Sequence, residues 1–196
     1  MNKGLVIAIS IIGILAIIGL SLMGSYNGLV NLDEQVKKSW SQVENVYQRR
    51  LDLIPNLVET VKGYAAHEKE TFIAVTEARS KAAGTISPDI VNNPQKFQAF
   101  QESQSALSSA LSRLLVVIEK YPDLKANENF LSLQTQLEGT ENRIAVERGR
   151  FNEAAQMFNT KIRQFPVNII AGLFGFNKKE YFQANPEAKA APKVQF

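Results

Sequence analysis

Phe130, Leu137, Ile144, Phe151, Phe158 and Phe165 recur at a strict spacing of seven. Side chains seven apart share one face of an α-helix and cannot share one face of a strand, where the period is two. The row predicts one helix from near Asn127 to Pro166, about 55–60 Å long. A helix of that length with one apolar stripe needs partner helices of similar reach.

The rest of the chain supplies them. Leu29, Leu32, Val36, Trp40, Val43 and Val46 step by three and four. After Pro55 the pattern resumes at Leu57, Val61, Tyr64, Phe72, Val75 and Ala78. Phe97, Phe100, Gln104, Leu107, Leu111, Leu114, Ile118 and Tyr121 form a third stripe, closed by Pro122. Gly84, Ser87-Pro88 and Asn93-Pro94 mark a loop, with Asn93 placed to cap a helix that has Pro94 at its first position. Sustained apolar/polar alternation is missing, so strands are not predicted. Amphipathic helices with short connections bury their stripes best against each other, and an antiparallel four-helix bundle with long helices is expected. At Pro55 the pattern favours a break between two helices, with Asp52 as the cap of the second. The heptad phase also runs on through Val46, Arg50, Leu53 and Leu57, which one kinked helix would produce.

Leu5 to Met23 is a run of 19 uncharged residues, enough for about 28 Å of helix against a ~30 Å hydrocarbon core. It exceeds the apolar region of most signal peptides, and no A-x-A-like cleavage site follows it, so a retained single-pass anchor in the lipid bilayer is expected. Lys3 precedes the span and the first positive residues after it are Lys37 and Lys38. The positive-inside bias then places the N-terminus in the cytoplasm and the rest on the outer or periplasmic side. Three regions are predicted: an anchor over 1–25, a helical domain over 26–183 and a mobile tail over 184–196, where little can be buried.

Composition narrows the chemistry. The chain has 22 Lys+Arg against 19 Asp+Glu, a charge of +3, and nothing in that balance points to nucleic acid. Cysteine is absent and His67 is the single histidine. Thiolate chemistry is thereby excluded, as are a zinc-protease helix and a Glu-x-x-His dimetal site, each of which needs two histidines. Neither a nucleophile elbow nor a phosphate-cradling glycine loop occurs. No catalytic residue, cofactor or metal ligand is assigned.

Two polar clusters interrupt the stripes. Arg49, Arg50, Asp52, Asn56 and Glu59 surround Pro55, and Glu141, Asn142, Arg143 and Arg148 lie within the long helix. They read either as a binding site at one end of the bundle or as ion pairs that fix helix register. Past Pro166, the apolar run VNIIAGLFGF, followed by KKEYF, is too short to span a bilayer. Ile169, Ile170, Leu173, Phe174, Phe176, Tyr181 and Phe182 could dock on the bundle, enter a membrane interface or pack on another subunit.

The motifs DLIPNLVETVKGYA (52–65), His67-Glu68, YPDLKANENF (121–130), TENRIA (140–145) and FPVNIIAGLFGF with KKEYF, in this order behind an apolar segment, closely resemble the LemA family. The resemblance covers about Tyr26 to Phe182 plus the anchor. Phe151-Asn152 and Phe158-Asn159 stand where the family usually has Tyr-Asn. It implies a bacterial, membrane-anchored protein with a soluble domain of four helices and no established catalytic activity. Three functions are weighed: a homo-oligomeric scaffold, an accessory or sensor subunit of another membrane protein, and, last, an enzyme using His67 and nearby carboxylates.

Overall fold

A computed structural model describes residues 3–183. The chain is all-helical, with no strand among the described residues. Its elements are α1 (Lys3–Lys62), α2 (Lys69–Gly84), a 3-10 helix (Pro88–Asn92), α3 (Pro94–Ile118), the short α4 (Pro122–Lys125), α5 (Glu128–Arg163) and α6 (Val167–Leu173). The region expected as a mobile tail, 184–196, lies outside the described residues.

The expected break at Pro55 does not occur. α1 runs unbroken for 60 residues from the apolar segment through Pro55 to Lys62, so no helix end separates that segment from the rest of α1. Pro55 has no N–H to offer the Leu51 carbonyl one turn back, and a buried carbonyl without a donor is costly. Arg79 of α2 removes that cost: its Nε donates to the Leu51 carbonyl oxygen at 2.8 Å. The proline ring itself faces solvent. The chain turns instead at Gly63–Glu68, where Ala65 tucks into the core, and the second apolar stripe is shared between α1 and α2.

The cap predicted at Asn93 is in place, whereas Asp52, expected to cap a second helix, lies inside α1; Asn127, where the long helix was expected to begin, caps α5. Asn93 Oδ1 accepts from the Lys96 N–H and Asn127 Oδ1 from the Phe130 N–H, each at 3.0 Å. The loop before α3 is more structured than expected, because the 3-10 helix buries Ile90 and Val91. Directions follow from cross-helix contacts. Arg50–Glu141 and Tyr64–Asn127 make α5 antiparallel to α1. Thr85–Ser103 and Glu68–Tyr121 make α3 antiparallel to α2.

Three apolar clusters follow one another along α1. The cluster farthest from the apolar segment joins Leu51, Ile54, Leu57 and Val61 to Phe72, Leu107, Leu114, Leu124 and Phe130. The middle one is aromatic: Trp40 meets Phe97, Phe100, Phe151 and Phe182 with ring centroids 5.3–6.2 Å apart. The third, beside the apolar segment, sets Leu29 against Val167, Ile170 and Ala171 of α6. α6 then ends in a Schellman turn: the Phe176 N–H reaches the Ala171 carbonyl at 2.9 Å, and Gly175 takes φ +72. That left-handed residue reverses the chain, and Asn177–Gln183 returns along α5 as an extended strap.

Candidate functional site

Two asparagines on α5 hold the strap. Asn159 Nδ2 donates to the Lys179 carbonyl at 2.9 Å, and the Lys179 N–H donates back to Asn159 Oδ1 at 2.8 Å. Asn152 makes the same reciprocal pair with Phe182, at 3.0 and 2.8 Å. Each side-chain amide thus satisfies a backbone donor and acceptor together, as a neighbouring strand would. Asn159 also donates to the Tyr181 hydroxyl at 2.9 Å.

Lys179 is buried, and its Nζ meets Asp33 Oδ1 at 2.7 Å and lies 5.0 Å over the Phe158 ring. Burial acts to raise the Asp33 carboxyl, but Lys179 and Lys37 outweigh it and hold the group below its ordinary value. Phe182 closes the aromatic cluster, and the Arg148 guanidinium covers it at 4.7 Å while donating to the Gln183 carbonyl at 2.9 Å.

These placements revise the expected contact surface. Ile170 and Phe182 are buried in the chain's own core, and Phe176 and Tyr181 are half-buried in it. A residue packed in its own core is closed to a membrane or a second subunit. Ile169, Leu173 and Phe174 stay exposed.

Beside the strap, α1, α3 and α5 leave a half-open cleft of about 750 Å³. Tyr47, Arg50, Gln101, Gln104, Ser108, Glu141 and Arg148 are among its lining residues, with strap residues 180–183 along one side. Arg50 is 2% exposed. Its Nη2 donates to Ser108 Oγ at 2.6 Å, and its Nε lies 3.0 Å from Glu141 Oε1 without the alignment of a hydrogen bond, so that contact is an ion pair. Burial draws the Arg50 guanidinium down from its ordinary value, with Glu141 and Tyr47 opposing; the group remains cationic. Burial likewise raises the Tyr47 phenol, with Glu141 adding to the rise, while Arg148 and Arg50 act to lower it.

Gln104 is unsatisfied at both ends of its amide. It is 4% exposed, and neither its Nε2 nor its Oε1 finds a partner among the described residues. A buried, unpaired amide costs about 1–3 kcal/mol per group.

Of the two predicted polar clusters, the structure brings together Arg50, Glu141 and Arg148 around the cleft. Arg49, Asp52, Asn56, Glu59, Asn142 and Arg143 face solvent. Gln48 donates to Asp52 at 2.8 Å and Lys62 to Glu59 at 2.6 Å, contacts within one helix that carry little energy. His67 is exposed in the α1–α2 turn, and no group of potential metal ligands forms among the described residues. Sequence reasoning missed Asn152, Asn159 and Gln104 as site residues. The signals were there: the asparagines follow Phe151 and Phe158 at a spacing of seven, and a glutamine occupies a position of the third apolar stripe.

Helices throughout, one apolar N-terminal helix long enough to cross a bilayer, and a polar cleft in the remaining domain define a helical protein of membrane-associated type. The chain belongs to the LemA family, whose model matches residues 39–196. It is similar to the magnetosome protein MamQ 1 of Paramagnetospirillum magneticum, 28% identical over an alignment covering 95% of this chain and 75% of the relative. The magnetosome protein MamQ of Magnetospirillum gryphiswaldense is 29% identical, with 93% of this chain and 73% of the relative covered. Protein LemA of Metamycoplasma hominis is 27% identical over 83% of this chain and 71% of its own length. None of these names states a reaction.

Proposed function

We propose that this chain is a membrane-anchored, non-enzymatic accessory subunit that uses the Arg50–Gln104 cleft to hold a segment of another protein. In this reading Leu5–Met23 crosses the bilayer with the N-terminus in the cytoplasm, and α1, α2, α3 and α5 form an antiparallel four-helix bundle on the other side. The observation that carries it is the unpartnered Gln104 amide beside a buried Arg50. Asn152 and Asn159 already pair with backbone amides of the strap, and Gln104 offers the same group from the neighbouring wall. A turn of its side chain toward the cleft would satisfy it against the backbone of an extended peptide. Arg50 lies 27 residues beyond Met23, about 40 Å along the helix, so the partner segment belongs to an extramembrane region. Relatives that share no common named process, magnetosome proteins and LemA, fit a binding module better than a dedicated catalyst.

The self-associating scaffold is weakened as a reading because much of the C-terminal segment that needed a partner surface finds it within the chain. Since the chain has no cysteine, Ser105→Cys at the cleft rim gives a single crosslinking site. In native membranes it should yield a discrete product with a second membrane protein, and Gln104→Leu should remove it. Homodimer products alone, or no product, would defeat the accessory reading.

A further inference from the structure

Two sides of α6 are apolar, and the protein covers only one. Val167, Ile170 and Ala171 pack against Leu29 of α1. Ile169 and Leu173, four residues apart on the other side of α6, are 53% and 77% exposed, and Phe165 just before the helix and Phe174 just after it are 81% and 64% exposed. Such a face is costly in water and characteristic of a helix lying in a membrane interface.

Its position identifies what covers it. The Tyr26 ring lies 4.8 Å from that of Phe174 and 5.8 Å from that of Phe176. Tyr26 is three residues past Met23, the end of the apolar span, or about 4.5 Å along the helix. The headgroup layer on each side of a bilayer is about 5–7 Å thick. The level at which Phe174 meets α1 is therefore the level at which α1 leaves the hydrocarbon. Tyrosine at that depth, with exposed Arg163 and Lys178 flanking α6, matches the aromatic and basic residues favoured there.

We infer that Ile169 and Leu173 of α6, with Phe165 and Phe174 at its two ends, insert into the leaflet from which α1 emerges. It is a second, in-plane contact with the lipid surface. α1 alone fixes depth but leaves rotation about its axis free. A contact to one side removes that freedom and gives the cleft a set orientation above the membrane. The inference rests on Leu5–Met23 spanning the bilayer, and the test separates the two.

The full-length, cysteine-free chain takes single-cysteine variants Leu173→Cys, Ile12→Cys within the span, and Val116→Cys at the far end of α3. Each carries an environment-sensitive fluorophore and is reconstituted into phosphatidylcholine vesicles with brominated acyl chains. Bromolipid should quench the probe at Ile12 and at Leu173 several-fold more than the probe at Val116. Quenching at Ile12 with Leu173 reached only by aqueous iodide overturns the inference and leaves the anchor standing. Leu173 shielded from both quenchers also overturns it, in favour of a second copy. Without quenching at Ile12, the anchor and the inference both fall.

Discussion

Arg79 and Pro55 act as one device, and a double-mutant cycle can measure it. Pro55 leaves the Leu51 carbonyl without its helical donor, and Arg79 Nε supplies one at 2.8 Å. Leu51 is 1% exposed, so water does not readily replace the lost donor. Arg79→Met keeps most of the stem but removes a charge-assisted hydrogen bond and leaves a buried acceptor unpaired, a loss of about 1–3 kcal/mol. Pro55→Ala restores an N–H directed at the same carbonyl. Alanine is favoured over proline by about 3 kcal/mol in a helix interior, and the gain here should be smaller because Arg79 already recovers part of it. In the Pro55→Ala background, Arg79→Met should cost at least ~1 kcal/mol less than in the natural chain, since the carbonyl keeps one donor. Urea unfolding of the detergent-solubilised protein, followed by helical circular dichroism, gives all four corners. Equal costs in the two backgrounds, within the ~0.3–0.5 kcal/mol typical of independent sites, would refute the pairing.

The strap and its ion pair yield two further expectations. Asn159→Ala removes three hydrogen bonds around Lys179 and Tyr181, a loss of about 2–4 kcal/mol at roughly 0.5–1.5 kcal/mol each. Faster amide exchange over 179–182 and altered Trp40 fluorescence should accompany it, whereas the exposed Asn142→Ala should change neither. The Asp33 carboxyl binds its proton less tightly folded than unfolded, so its pairing with Lys179 and Lys37 stabilises the protein fully above the ordinary value of 3.8. That contribution disappears as pH falls through the lower folded value, and Asp33→Asn should flatten the acid limb of the stability profile; an unchanged limb would discount the pair.

Local and periodic features were readable from the residues alone. Asn93-Pro94 and Asn127 fix helix starts because their side chains bond to the backbone three residues on. The sevenfold row from Phe130 to Phe158 fixes α5, although its last expected member, Phe165, falls past the helix end and is exposed; the uncharged run fixes a helix able to cross a bilayer, since periodicity and length are properties of a segment by itself. Pro55 was misread for the same reason: locally it breaks a helix, and the donor that repairs the break lies on α2, 24 residues away in sequence.

The site divides along that line as well. Arg50, Glu141 and Arg148 were visible as charges interrupting apolar stripes. Which of their neighbours join them depends on helix rotation, and that rotation leaves Arg49, Asp52, Asn56, Glu59 and Asn142 in solvent. Gln104 stood in an apolar stripe, but its lack of a partner could be seen only once the walls around it were in place. The C-terminal segment shows the division most directly. Its apolar character was written in the residues, whereas tertiary packing decided which side chains it uses. The Gly175 turn sends Phe182 into the aromatic core and leaves Leu173 and Phe174 outside, beside the apolar segment. By itself the sequence determined that this chain is helical, carries an apolar N-terminal segment and lacks the residues for thiol or two-histidine chemistry. Only the tertiary structure decided which polar groups meet across helices, because a cleft and a docked strap depend on the relative placement of distant elements.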